Sequence, residues 1–151
     1  HLTTIFPEVR LKTYLEMRGA DAGPWSRLCA LPALWVGLLY DDAAQEAAWD
    51  LVKDWTAPER EALRRAVPTL GLQAPIRNTN VQRLAKDVLA IARQGLRARA
   101  MKNEAGDDES GFLTELEEVA ATGFTAADRL LERYHGEWGG DLKRLYAEYS
   151  Y

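Results

Sequence analysis

Cysteine and histidine are nearly absent: Cys29 is the only thiol, and His1 and His135 are the only imidazoles, in 151 residues. A single cysteine excludes a disulfide framework within the chain, and these three residues cannot furnish a Cys/His zinc cluster. So little cysteine use reads as a reducing, intracellular setting. There is no Gly-rich phosphate loop, no Ser-His-Asp order and no nucleophile elbow. No stretch of the 151 residues reads as a signal peptide, and the longest apolar run, Leu28 to Tyr40, is too short to cross a bilayer. Excess basic charge is also lacking. Nineteen Lys and Arg against 23 Asp and Glu leave a formal charge of −4, which favours neither a nucleic-acid nor a membrane partner.

The chain does have an ordinary globular composition, 47% hydrophobic and 28% charged, and a length suited to about one domain with a real core. It starts without methionine and enters strand-like sequence at once, the pattern expected of a piece of a longer protein.

Its sharpest local signal is the two-residue alternation from Arg10 to Arg18. In an extended strand successive side chains point to opposite faces. Arg10, Lys12, Tyr14, Glu16 and Arg18 then share one face, and Leu11, Thr13, Leu15 and Met17 the other. A carboxylate suits a hard cation such as Mg²⁺ that keeps phosphates in its shell, and a neighbouring arginine suits the phosphate itself. The row could therefore hold a polyanion with its metal ion. From spacing alone the better reading is a wet strand face on which Glu16 pairs with Arg18 or Lys12. Arg10 and Lys12 could steady a substrate carboxylate or a phosphate, or simply protect a sheet edge.

Residues 2–18 read as β, with an interruption at Pro7, and Gly19 to Pro24 as a turn cluster. From Trp25 the period becomes helical. The first helix has little polar face, so burial on most sides is expected, with a kink or break at Pro32. Asp42 with Gln45 reads as a capping box for a second helix, whose stripe is Ala48, Leu51, Val52 and Trp55. Thr56 with Glu59 starts a third helix that Pro68 should end. Residues 69–79 read as loop. Asn80 or Thr79 should cap a long helix over 81–102 that buries Val81, Leu84, Ala85, Val88, Leu89, Ala92 and Leu96.

An acidic, mobile loop is expected at 103–111, then helices near 112–122 and 126–135. Gly123 stands at a C-cap and Thr125 with Asp128 at a capping box. Residues 134–140 form a turn, and a short helix runs from Asp141. The cations of the long helix read as a solvated face or as partners of the acidic loop. Cys29 reads as an inert core thiol, His135 as packed or exposed, and the tryptophans mostly as core. The sum is α+β: one or two N-terminal strands that need a sheet to join, then a mostly helical region.

The run from His-Leu-Thr-Thr-Ile-Phe-Pro-Glu-Val-Arg-Leu-Lys through Tyr-Leu-Glu-Met-Arg-Gly-Ala-Asp to Pro-Trp-Ser-Arg-Leu-Cys-Ala-Leu-Pro-Ala-Leu-Trp-Val-Gly-Leu-Leu-Tyr-Asp resembles the C-terminal part of glutamate–cysteine ligases of the plant and proteobacterial type. The similarity continues to the Tyr-His-Gly-Glu-Trp-Gly-Gly turn. The resemblance implies a C-terminal segment of one larger catalytic domain, with strands in 1–24 and helices in 25–151, on a glutamine-synthetase-like antiparallel sheet. It implies an ATP- and Mg²⁺-dependent ligase joining the γ-carboxylate of glutamate to the amine of cysteine, the first step of glutathione synthesis. By the Tyr-Leu-Glu-Met-Arg motif, Glu16 would bind Mg²⁺ and Arg18 would contact the transferred phosphate. Arg10 and Lys12 would stand nearby as further nucleotide-binding candidates. The expected partners are glutamate, cysteine, ATP and an upstream part of the same enzyme. The expected location is cytoplasmic, or plastid in a plant. A sister carboxylate–amine ligase and a non-catalytic helical module are the alternatives.

Overall fold

Small side chains at matching positions of two helices set the centre of the molecule. In the computed structural model, which describes residues 8–20 and 23–149, helix α1 (Trp25–Leu39) crosses helix α4 (Val81–Arg99) at Gly37 and Gly95. A Cβ on Gly37 would overlap the Ala92 carbonyl, and one on Gly95 would overlap the Gly37 carbonyl. The backbones therefore touch directly. Around the crossing lie Ala33, Leu38, Leu89, Ala92, Leu96, Leu113 and Ala120, with Leu34, Trp35, Val88 and Leu116 packed against them.

The other elements are β1 (Val9–Leu11), β2 (Leu15–Met17), α2 (Asp42–Val52), α3 (Ala57–Leu70), β3 (Pro75–Ile76), β4 (Thr79–Asn80), α5 (Thr114–Thr122), α6 (Ala126–His135) and α7 (Leu142–Tyr149). Two antiparallel pairs, β1–β2 and β3–β4, accompany the helices, so the architecture is α+β. The strand expected at residues 2–6, the bend at Pro7 and part of the 19–24 turn cluster lie outside the described residues.

The local caps follow chemistry readable at three-residue spacing. Thr56 and Glu59 form a reciprocal capping box, as do Thr125 and Asp128. The Asn80 side chain accepts from the Arg83 amide to start α4, and Gly123 ends α5 at φ 76°. The cap of α2 is Asp41, which accepts from the Ala44 amide, one residue earlier than the expected Asp42.

Both internal prolines depart from expectation. Pro32 leaves α1 continuous from Trp25 to Leu39, and α3 passes Pro68 to end at Leu70. Each proline is exposed, as are Leu28 and Arg64 four residues earlier, so water can satisfy the carbonyl that loses its partner. Gly71, at φ 51°, marks the end of α3 instead.

The outer face of α1 is also a correction. Trp25 is 77% exposed and Leu28 is 52%, because α4 and the 3-10 turn at Glu109–Leu113 cover only the opposite side. Among the tryptophans Trp138 is buried but Trp25 and Trp49 face solvent. Cys29 is half-buried rather than sealed in the core.

Residues 69–79 form a 3-10 turn and the β3–β4 hairpin instead of a loop, anchored by buried Ala74 and Ile76. The 103–111 segment is likewise built. The Asn103 side chain accepts from the Asp107 amide at 2.9 Å, Lys102 and Asp108 pair through their backbones as an isolated antiparallel β-bridge, and a 3-10 turn sinks Ser110 and Leu113 into the core. Its acids do pair with the long helix, through Arg99 and Glu109 at 3.7 Å.

Candidate functional site

The alternating run from Arg10 to Arg18 folds back on itself. Lys12 to Tyr14 reverse the chain, with the Lys12 amide donating to the Tyr14 carbonyl at 2.8 Å. The pairing sets Val9 against Met17, Arg10 against Glu16 and Leu11 against Leu15. A single extended strand was expected; a hairpin with three-residue strands is observed. Residues directly opposite in an antiparallel pair share a face, so the polar row survives the reversal.

On that face Glu16 is held by three cations. Nε and Nη2 of Arg10 both lie 2.7 Å from Glu16 Oε2. Arg18 Nη1 stands 3.6 Å from the same oxygen, and Lys12 Nζ stands 3.6 Å from Oε1. Tyr14 completes the row, with its ring 5.5 Å from Lys12 Nζ. All four residues singled out in the sequence, Arg10, Lys12, Glu16 and Arg18, thus meet at one point.

The hydrogen bond from Arg10 is the main reason the Glu16 carboxyl lies below its ordinary range, opposed by partial desolvation and helped by the charges of Arg10, Lys12 and Arg18. The side chains of Glu16, Arg10 and Arg18 retain 27–30% of their accessible surface, so the cluster is shielded but reachable.

A carboxylate whose ionised form is favoured by three neighbouring cations offers groups of both signs, which suit an anion and a counter-ion together. Glu16 Oε1 is the less engaged oxygen and suits a hard divalent ion; the guanidinium groups suit phosphate oxygens. The donor set is partial. Among the described residues no group of three or more His, Cys, Asp and Glu converges as a metal cluster. A Mg²⁺ here would take its other oxygens from phosphates, water or further protein, which is the usual manner of that ion.

The opposite face of the hairpin is apolar and open. Leu11 is 79% exposed, Leu15 57% and Val9 48%. One contact that no short-range pattern could disclose ties the hairpin to the helices: Arg64 Nε of α3 donates to Glu8 Oε1 at 3.2 Å, across 56 residues.

A separate open cleft of about 840 Å³ lies beside the 101–112 segment and includes Arg93, Lys102, Asp108, Ser110 and Phe112. Its polar groups are mostly engaged with one another. Arg93 binds both Glu117 oxygens and Ser110, and Asp108 caps the Ser110 amide. None of its lining residues belongs to the hairpin.

Comparison with known proteins gives one consistent set of matches. The family model described as glutamate–cysteine ligase family 2 matches residues 1–148. The chain is 54% identical over all 151 residues to a chloroplastic glutamate–cysteine ligase of Nicotiana tabacum and 56% identical to that of Arabidopsis thaliana, spanning 28% of each. Glutamate–cysteine ligase A, chloroplastic, of Oryza sativa subsp. indica is 51% identical, with 30% of its length spanned. The chain therefore covers less than a third of the length of these relatives.

Proposed function

Because the chain belongs to the glutamate–cysteine ligase family 2, we propose that it supplies part of the active site of a longer ATP-dependent enzyme that joins glutamate to cysteine. In this reading residues 1–24 and 25–151 are the strand and helical portions of one larger catalytic domain. The observation that carries it is the Glu16 carboxylate enclosed by Arg10, Lys12 and Arg18 on one hairpin face. That arrangement belongs to a chain matched by the family model almost from end to end.

The reaction has two transfers. A γ-carboxylate oxygen of glutamate takes the terminal phosphoryl group of ATP, giving an acyl phosphate and ADP. The amine of cysteine then attacks the acyl carbon, the carbon–oxygen bond to phosphate breaks, and the ammonium so formed loses a proton to leave the amide. Phosphoryl transfer of this kind depends on positioning and on charge stabilisation around the transferred group.

Arg18 donates to the oxygens of the γ-phosphoryl group as charge redistributes over them. Glu16 would offer Oε1 as one ligand to Mg²⁺, which would supply charge neutralisation at the phosphates. Arg10 holds the Glu16 carboxylate in place through Oε2 and keeps it ionised. Lys12 adds positive charge at the open end of the row, towards a phosphate or a substrate carboxylate.

The relatives are named as chloroplastic enzymes, which supports a plastid setting for this chain if its source is a plant. No helix among the described residues is long and apolar enough to cross a membrane.

The test is a substrate panel on the full-length protein that contains this chain. ADP and a γ-glutamyl amide should form with glutamate, cysteine and Mg-ATP. Turnover with another amine in place of cysteine would reassign the enzyme to a sister carboxylate–amine ligase. Absence of ADP formation with every amine would overturn the ligase reading.

A further inference from the structure

The hairpin carries Glu16 and Arg18, yet Val9, Leu11 and Leu15 turn largely to solvent, so among the described residues little shared core fixes its angle to the helices. Two bonds at Glu8 offer that control. The Glu8 carbonyl accepts the Arg18 amide at 2.8 Å, and its carboxylate accepts from Arg64 Nε at 3.2 Å. Arg64 is itself steadied from below, with Nη1 4.0 Å from Glu61 Oε2 on the preceding turn of α3. A continuous path thus runs from α3 through Arg64 and Glu8 to the backbone of Arg18.

We propose that Glu8 and Arg64 form a positioning pair that aims Arg18 at the terminal phosphoryl group. This rests on the ligase function above. Neither residue touches the reacting atoms. Their side chains are 70% and 68% exposed, so the link is weak and salt-sensitive. An exposed ion pair of this kind supports an effect of up to about fivefold in rate. Because Arg18 acts on charge developing in the transition state, the effect falls on kcat and leaves the KM for ATP nearly unchanged.

The experiment uses the full-length protein with Glu8→Arg, Arg64→Glu and the two combined. Each single change should lower kcat about threefold to fivefold, and the reversed pair should restore most of the loss, a rescue that general destabilisation would not give. Amide exchange at Arg18 should also quicken in Arg64→Glu. In an active enzyme the kinetics decide: single variants with unchanged kcat, or a reversed pair no better than the singles, would overturn the proposal. If the unsubstituted protein does not ligate glutamate and cysteine, the ligase reading fails separately. Exchange at Arg18 then decides alone, with unchanged protection in Arg64→Glu overturning the tether.

Discussion

Some residues in this chain gain their properties from partners far from them in sequence. Glu59 shows this well away from the hairpin. Its carboxylate accepts from Arg77 Nε at 2.8 Å and Nη2 at 3.2 Å, and it closes the capping box with Thr56. Arg77 reaches it from a backbone at φ 51°, an uncommon conformation for a side chain of that size, and also donates to the Asp54 carbonyl. The hydrogen bond from Arg77, followed by those from Thr56, pulls the Glu59 carboxyl down to about 2. Since that value lies below the ordinary 4.5, the stabilisation is full above the ordinary value and is lost as pH falls towards 2. An NMR titration of the Glu59 carboxyl should therefore have its midpoint near 2, and Arg77→Ala should move it up towards 4.5. A midpoint that does not respond to loss of Arg77 would contradict the assignment. Nothing local in the sequence suggests this partnership, because 18 residues separate the pair. Glu16 differs in being legible, since its three cations lie within six residues of it.

Among elements, the crossing of α1 and α4 sets the tightest tolerance. At Gly37 and Gly95 an added methyl would meet backbone carbonyls, which have no rotamer by which to yield. Gly37→Ala or Gly95→Ala should cost about 1–3 kcal/mol or more in unfolding free energy. Gly19→Ala, where a Cβ would meet nothing within 4 Å, should be nearly neutral. Equal thermal stability of all three variants would contradict the direct backbone contact. The same elements mark the reach of sequence patterns. Caps at Thr56, Asn80 and Thr125 are legible because a three-residue spacing contains the whole interaction. The buried stripe of α4 follows from period alone. The sidedness of α1 does not, for an apolar helix carries no mark of which face a neighbour covers. The exposure of Trp25 and Leu28 and the tolerance of Pro32 on that outer face are therefore not readable from the pattern. The reversal at Lys12-Thr13-Tyr14 is equally hidden, since it contains no glycine, proline or asparagine to announce a turn.

For the molecule as a whole, helices form a body with its own core while the β1–β2 hairpin, among the described residues, shows an exposed apolar face. A two-stranded ribbon is marginal by itself in water. Leu11 and Leu15 form the side of the hairpin that a larger sheet would continue or cover. The 151-residue chain alone should therefore show strong helical circular dichroism but no ADP release with glutamate, cysteine and Mg-ATP, whereas the full-length protein should turn over. Glutamate- and cysteine-dependent ADP release from the isolated chain would show that one carboxylate and three cations suffice, contrary to the partial donor set described above.

The most direct measurement is the turnover of Glu16→Gln and Arg18→Ala in the full-length protein at saturating Mg-ATP, with the fold monitored by circular dichroism. If Arg18 acts on the transferred phosphoryl group as proposed, its loss should lower kcat by ~10³-fold or more, and loss of the carboxylate proposed to hold Mg²⁺ should abolish ligation, both in folded protein. Near-unchanged turnover in either variant would contradict the assignment of the hairpin as the place where magnesium and the γ-phosphoryl group are held.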